Sequence, residues 1–118
     1  MTERTTTVDL LQGTLATLIL KAVSWGPLHG YGIARWIEQV THDDLLVEEG
    51  SLYPALHRLQ ARGLVTSQWT LSDTNRRVRC YSLTEDGRQQ LRAEMNRWER
   101  FSVAVTRALQ ARRPSKAV

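Results

Sequence analysis

The segment that decides the fold reads EGSLYPALHRLQARGLV and spans residues 49–65. Its leucine and alanine residues recur at helical spacing, and Gly63 is placed to end a helix just past its C-terminus. Ser51 is a candidate N-cap, and Pro54 then falls in the first turn, where its missing N–H costs nothing. The segment therefore predicts an amphipathic helix over residues 51–62.

Two further helices are predicted before this segment. Asp9 is a candidate N-cap for the first helix, and Gly26 with Pro27 ends it. The second helix opens at His29 and continues to about Val40, with its apolar residues at helical spacing. The decisive segment is therefore the third of three consecutive helices.

A β-hairpin is predicted after the third helix. Residues 65–71 and 78–83 are rich in β-branched and aromatic side chains, which favours strands. The polar residues 72–75, which follow the first of these strands, are typical of a turn. Residues 45–47 are a candidate for one more, very short strand.

A long last helix is predicted from its candidate N-cap, Thr84, to about Leu109. Its apolar residues recur at the alternating spacing of a heptad seam. Because a lone helix of this length needs a partner for such a stripe, the seam predicts a homodimer. The residues expected at the dimer interface are Leu10, Leu11, Leu91, Met95, Trp98, Ser102, Val105 and Leu109.

The order helix, helix, helix, hairpin, long helix is that of a winged helix-turn-helix followed by a dimerisation helix. The predicted fold class is mainly α with a small β-hairpin, and 118 residues suffice for it. We expect residues 9–84 to form a DNA-binding domain and residues 85–110 to form the dimerisation helix. An ordinary amphipathic helix with a solvated polar face is the alternative for residues 51–62 taken alone.

Charge is divided unevenly along the chain. Lysine and arginine number 16 against 12 aspartates and glutamates, for a net charge of +4. Residues 38–49 contain only acidic charges, whereas residues 58–79 contain arginines and a single aspartate. The division indicates one basic face, which is typical of a protein with an anionic partner. Ordinary solvated surface is the alternative from charge alone.

Four blocks of the sequence resemble the PadR family of transcriptional regulators. They are LHGYGI at 28–33, EGSLYPALHRL at 49–59, GLV at 63–65, and Arg76-Arg77 followed by YSLTEDGR at 81–88. The second and fourth blocks are highly specific in this order and spacing, and the resemblance covers most of the chain. It implies DNA binding, usually repression, by a homodimer joined through its first and last helices. The short final helix is similar to that of the smaller subclass of the family.

The partner expected from this resemblance is double-stranded operator DNA of two-fold symmetry. Tyrosine and serine hydroxyls can bond phosphates, and arginine can bond phosphate or guanine. The alternative to DNA contact is core packing for Tyr31 and a purely solubilising role for the hairpin arginines. The residues expected to contact DNA are Ser51, Tyr53, Pro54, His57, Arg58, Arg62, Tyr31, Arg76, Arg77 and Arg79.

Trp98 is the candidate contact for an effector. In the family's multidrug-sensing members a tryptophan in this part of the last helix lines a flat pore at the dimer interface, so the resemblance implies stacking on a planar aromatic compound. Where a drug-sensing relative carries acids, this chain has Ser102 and Thr106, which disfavours a cationic ligand. Simple packing in the dimer seam is the alternative. The remaining tryptophans are expected in the core or on a strand face: Trp25, Trp36 and Trp69.

An enzyme is the competing class, and the sequence disfavours it. The three histidines lack metal-ligand spacing, no nucleophile motif is present, and neither a metal nor a cofactor is expected. The glycines after His29 do not form a phosphate loop, because no strand is predicted before them and no Lys-Ser/Thr follows. We expect them to allow close backbone packing instead. A protein–protein adaptor built on the winged-helix scaffold is the second functional hypothesis.

Three features of the sequence bear on location and redox chemistry: the N-terminus, the apolar stretch 15–25 and the single cysteine. The N-terminus lacks a signal-peptide pattern, and the apolar stretch 15–25 is too short and too polar to span a bilayer. A cytoplasmic protein with no membrane partner is therefore expected. The single cysteine, Cys80, is expected to be a small buried filler, with redox sensing as the alternative.

Overall fold

The computed structural model describes residues 6–7 and 13–114. Within these residues a bundle of helices carries a small sheet on one side. The elements in chain order are β1 (Thr6–Thr7), α1 (Thr14–Ala22), β2 (Leu28–His29), α2 (Gly30–Val40), β3 (Leu45–Leu46), α3 (Glu49–Ala61), β4 (Val65–Leu71), β5 (Arg77–Leu83) and α4 (Glu85–Gln110). This is the predicted winged helix-turn-helix with a long C-terminal helix.

The hairpin is part of a three-stranded antiparallel sheet in the order β2-β5-β4, so β5 is the central strand. Its register runs from Val65 opposite Leu83 to Leu71 opposite Arg77, and Asn75 closes the turn with a positive φ of 63°. Strand β2 adds only two residues to the inner end of β5. A separate two-stranded parallel sheet joins β1 to β3, so residues 6–7, for which no strand was predicted, are a strand.

The core lies between the first three helices and the inner end of the hairpin. Ile19 of α1, Ile33 of α2 and Leu56 of α3 are all at most 1% exposed. Burying a side chain of this size contributes about 1.5–3 kcal/mol, so the three apolar stripes hold the helices together. Tyr81 of β5 and Leu91 of α4 complete the same cluster and bind the hairpin and the last helix to it.

The first helix begins later than predicted. Helix α1 starts at Thr14, after Gly13 with a φ of +91°, whereas the predicted N-cap Asp9 lies outside the described residues. The predicted interface residues Leu10 and Leu11 lie outside them as well. The helix ends at Ala22 and continues as one 3-10 turn, followed by the predicted stop at Gly26.

The third helix begins earlier than predicted. The carbonyl of Glu48 accepts the backbone N–H groups of Ser51 and Leu52 at 3.0 and 2.9 Å, so Glu48 is the N-cap and Ser51 lies inside the first turn. Pro54 is consequently an interior residue and not a first-turn residue. The helix end is as predicted, with Gly63 just beyond it at a φ of +76°.

The last helix is tied to the end of α3. As predicted, Thr84 caps α4, and its Oγ1 accepts the N–H of Gly87 at 2.9 Å. The same hydroxyl donates to the carbonyl of Gly63 at 2.7 Å. A Cβ on Gly87 would lie 2.1 Å from the carbonyl oxygen of Leu64, so only glycine allows α4 to start this close to the turn after α3.

Gly87→Ala should therefore lower the free energy of unfolding, by about 1–3 kcal/mol, because a backbone carbonyl has to move. The measurement is urea unfolding followed by circular dichroism. Gly50→Ala is the matched control: Gly50 is also helical, but no heavy atom lies within 4 Å of the position that an alanine methyl would occupy there. This control should gain about 0.5–1 kcal/mol from helix propensity. Equal effects at both sites would contradict the packing argument.

Candidate nucleic-acid interface

Helix α3 presents its polar face to solvent. Leu52, Leu56 and Leu59 are at most 1% exposed, and their side chains hold the helix against the core. The opposite face carries most of the residues predicted for DNA contact, of which Tyr53 is 41% exposed. The residues exposed on α3 and at its C-cap are Tyr53, Pro54, His57, Arg58 and Arg62, whereas Ser51 is half-buried.

An open groove of about 410 Å³ runs between α3 and the hairpin. It brings together residues of four elements, α2, α3, β4 and β5: Tyr31, Tyr53, His57, Trp69, Arg77 and Arg79. Five of these six were predicted to contact DNA. Arg76 lies in the hairpin turn instead, where its backbone N–H donates to Ser72 Oγ at 3.2 Å.

The start of α2 forms one end of the groove. Gly30 is buried there, and a Cβ on it would lie 2.7 Å from the Tyr53 hydroxyl oxygen, so the glycine allows the close packing predicted for this segment. His29 caps α2, because its Nδ1 accepts the N–H of Gly32 at 3.0 Å. Tyr31 is 67% exposed, so core packing of this residue is wrong. The positive end of the α2 dipole therefore lies beside the groove.

A strand precedes the glycines of this segment, contrary to the prediction. Leu28 and His29 pair with Tyr81 and Cys80 of β5. The strand is too short to be visible from its own sequence, since its residues are extended only through pairing with a distant partner. The segment still lacks the Lys-Ser/Thr of a phosphate loop.

The hairpin arginines are held by an indole that was not predicted to belong to the site. Trp69 is 52% exposed on β4, and the guanidinium carbons of Arg77 and Arg79 lie 4.8 and 5.1 Å from its ring centroid. Arg79 Nε also donates to Ser67 Oγ at 3.0 Å, and this hydroxyl donates to Gln60 Oε1 at 3.1 Å. The signal that could have identified Trp69 is the strand pairing of the hairpin, which sets it opposite Arg79.

The floor of the groove is neutral. Burial raises the pKa of Tyr81, Arg79 opposes that rise, and Tyr53 adds to it. Tyr81 therefore remains a neutral phenol at physiological pH, and the positive charge of the groove comes from the hairpin arginines. Within residues 13–114 and β1, no three histidine, cysteine or acidic side chains are grouped to hold a metal ion.

A second surface lies along α4. Leu91 is only 5% exposed, because it packs in the core of its own chain, so the prediction that it faces a partner is corrected. The rest of the predicted seam is open to solvent in the single chain, with Ser102 half-buried among exposed apolar residues. The exposed apolar members of the seam are Met95, Trp98, Val105 and Leu109.

A cavity of about 450 Å³ separates α1 from α4. The Trp98 and Phe101 rings line it, with centroids 5.8 Å apart, and Leu18 of α1 faces them. Glu94 lines the same cavity and forms an ion pair with Arg97. No sequence pattern identified this carboxylate, which lies one helical turn before Trp98.

The other tryptophans differ from one another. Trp25 is 68% exposed, so its predicted place in the core or on a strand face is wrong; it follows α1 in the 3-10 turn. The Trp25 ring packs against the Trp36 ring, with 5.5 Å between their centroids. Lys21 Nζ lies 4.6 Å from the centroid of the Trp25 ring. Trp36 is half-buried against the core, and Trp69 lies on a strand face as predicted.

No helix among the described residues is long and apolar enough to cross a membrane. Cys80 is half-buried in β5, with its Sγ 3.3 Å from Thr70 Oγ1. It is therefore less enclosed than the fully buried filler expected from the sequence.

Three consecutive helices, a hairpin with an arginine-bearing groove and a long last helix define a DNA-binding regulator of the winged helix-turn-helix class. The family model described as "Transcriptional regulator PadR-like family" matches residues 19–93. The chain belongs to this family of transcriptional regulators, and the resemblance read from its motifs is confirmed.

The chain is also similar to individual proteins. The crystal structure of a PadR-like transcriptional regulator from Bacillus cereus is similar at a TM-score of 0.75, with 28% identity over 88% of this chain and 99% of that one. The negative transcriptional regulator PadR of Bacillus subtilis is 29% identical over 62% of this chain and 40% of its own length. A 37.1 kDa protein in a transposon of Streptomyces fradiae is 44% identical over 75% of this chain. That match is 24% of the transposon protein, so the chain spans under half of either curated relative.

Proposed function

We propose that this protein is a repressor that binds operator DNA of two-fold symmetry as a homodimer. The observation that carries the proposal is the groove between α3 and the hairpin. One wall is an exposed polar helix face, and the other holds the guanidinium groups of Arg77 and Arg79. A helix of this kind fits the major groove, and arginines beside it fit the flanking backbone.

The residues divide into two tasks in this proposal. His57 and Arg58 extend from the middle of α3 and read base edges, for which arginine has the donors to bond guanine. Tyr53 and Ser51, nearer the start of the helix, bond phosphates through their hydroxyls. Pro54 and Arg62 flank the contact on α3. The residues that meet the backbone or the minor groove are Tyr31, Arg76, Arg77 and Arg79.

The dimer is proposed to form along α4. Met95, Trp98 and Leu109 are 45%, 51% and 81% exposed in the single chain, and a stripe of this size is uncommon on a stable monomer. Residues 85–110 then act as the dimerisation helix and residues 9–84 as the DNA-binding domain. Ser102 and Val105 belong to this interface, together with Leu10 and Leu11 of the N-terminal segment.

Repression is the proposed direction of regulation. The family contains the Bacillus subtilis protein that is named a negative transcriptional regulator. A dimer seated on an operator blocks the DNA it covers, which accords with that activity. The dimer symmetry places two copies of α3 about one helical turn apart, or a multiple of this distance.

A footprint on the DNA upstream of the protein's own gene tests the operator and the dimer together. We expect two protected half-sites related by two-fold symmetry, and a complex that contains two chains by analytical ultracentrifugation. Protection of one asymmetric half-site by a single chain would contradict the proposal. Absence of any specific, salt-sensitive binding would favour the adaptor hypothesis instead.

Replacing Arg76 and Arg77 together with alanine should weaken binding to all DNA sequences. The logarithmic salt dependence of affinity should become shallower by about one unit for each phosphate that is no longer bound. The charge-matched control replaces Arg100 and Arg107, which are exposed on α4. Fluorescence anisotropy over a salt series makes the comparison. If both double variants change the slope equally, net charge and not the hairpin is responsible.

A planar aromatic effector is proposed to bind beside Trp98. The cavity next to this indole is lined by Phe101 and Leu18, which suits a flat apolar ligand. The negative charge of Glu94 is neutralised by its ion pair with Arg97, so the cavity does not favour a cationic ligand. Such a ligand releases DNA only if it binds the free and the DNA-bound dimers with different affinity.

Trp98→Ala should abolish the response to the effector and leave DNA binding largely in place. A panel of planar aromatic compounds should quench tryptophan fluorescence and weaken operator binding in the native protein and in Trp25→Phe, but not in Trp98→Ala. Trp25 is the matched control because it is an exposed tryptophan that does not line the α1–α4 cavity. Equal quenching in all three proteins would assign Trp98 to packing alone.

A further inference from the structure

We infer that Trp69 is a positioning residue for DNA binding, whose indole holds the guanidinium groups of Arg77 and Arg79 beside α3, the recognition helix of the proposed function. The inference rests on the proposed function, because it gives a task to arginines proposed to meet the DNA backbone. Neither the motif blocks nor the periodicity of the sequence assigned Trp69 any role beyond that of a strand-face residue.

The indole of Trp69 contacts two cations at once. The guanidinium carbon of Arg77 lies 4.8 Å from its ring centroid and that of Arg79 lies 5.1 Å away, which is within the range of an attractive cation–π contact. The register of the hairpin produces this arrangement. Trp69 is directly opposite Arg79, and Arg77 occupies the diagonal position two residues earlier on β5.

Arg79 has a second support that connects the hairpin to α3. Its Nε donates to Ser67 Oγ at 3.0 Å, and Ser67 Oγ donates to Gln60 Oε1 at 3.1 Å. Gln60 lies in the last turn of α3. A continuous set of contacts therefore runs from the recognition helix through Arg79 to the indole of Trp69.

Burial does not account for the tryptophan at this position. Trp69 is 52% exposed at the outer end of the hairpin, whereas the core ends near Val65 and Tyr81. Its indole instead restricts the side chains of Arg77 and Arg79. A free arginine side chain loses rotamer entropy when it binds, and an arginine already held against an indole loses less. The edge of the planar guanidinium keeps its N–H donors available for phosphate oxygens while its face is covered.

A double-mutant cycle tests the inference. Trp69→Leu is made in the native protein and in the Arg77→Ala/Arg79→Ala variant, and affinity is measured by anisotropy with a fluorescein-labelled DNA duplex of mixed sequence at low salt. We expect Trp69→Leu to weaken binding about three- to tenfold in the native background. The same change should alter affinity by less than about twofold when both arginines are absent, because coupled residues are non-additive.

The salt series separates the task of Trp69 from that of the arginines. Because Trp69 carries no charge, Trp69→Leu should lower affinity without changing the logarithmic salt slope, whereas removing the arginines should make the slope shallower. Trp69→Phe should fall between the native protein and Trp69→Leu, since a phenyl ring attracts a cation less than an indole does. Should Trp69→Leu fail to fold, Trp69→Phe in the same two backgrounds completes the cycle.

Trp25→Leu is the matched control. Trp25 is also an exposed tryptophan with a cation over its ring, since Lys21 Nζ is 4.6 Å from its centroid, but it does not line the groove. The Trp25→Leu substitution should leave DNA affinity unchanged. Equal losses from Trp69→Leu in both backgrounds, or no loss in the native background, would overturn the inference. Native affinity of the Arg77→Ala/Arg79→Ala variant would instead overturn the proposed hairpin contact.

Discussion

Thr84 joins the turn after α3 to the start of the last helix through both its backbone and its side chain. Its N–H donates to the Leu64 carbonyl at 3.1 Å, its hydroxyl donates to the Gly63 carbonyl at 2.7 Å, and its Oγ1 accepts the N–H of Gly87. These bonds satisfy one N–H in the first turn of α4 and the two carbonyls that directly follow the α3 C-cap. They also connect the two ends of the hairpin. As a result α3, proposed to read DNA, and α4, proposed to bind a second copy, meet at one point.

This junction sets the direction in which α4 leaves the winged helix-turn-helix. A winged-helix dimer distinguishes one operator spacing from another only if the angle between its recognition and dimerisation helices is fixed. Here that angle depends on the close approach of Gly87 to the Leu64 carbonyl and on Leu91, which anchors α4 in the core. Beyond Leu91 the helix leaves the core, and its apolar surface is open to other contacts. In the proposed dimer, a ligand that moved α4 against α1 would therefore change the distance between the two copies of α3.

The sequence predicted those features whose cause is local. The hairpin strands, the cap at Thr84 and the glycine after α3 follow from residue chemistry within a few positions. The start of α3 was misplaced because Glu48 caps it through its backbone carbonyl, which leaves no side-chain signature. Strand β2 was missed because its two residues are extended only by pairing with β5.

The candidate site shows the same division between local and distant causes. Periodicity identified the outward face of α3 correctly, since one turn of the helix fixes which side chains share a face. It grouped Leu91 with the exposed seam, because spacing along a helix does not reveal which part of a stripe the chain covers itself. The cluster around Trp69 and the carboxylate of Glu94 were not found, since strand register and interhelical packing bring those groups to their sites.

The position of β4 at the edge of its sheet has a consequence for handling the protein in solution. Strand β4, VTSQWTL, contains no charge and no proline, and its outer edge has no strand partner among the described residues. Uncharged segments with high β-propensity at a sheet edge are the ones that recruit other chains into aggregates. The arginines that lie across Trp69 place positive charge against this strand, which is how gatekeeper residues suppress such association. The arginines proposed to meet the DNA backbone are thus also placed to oppose association of this strand edge with other chains.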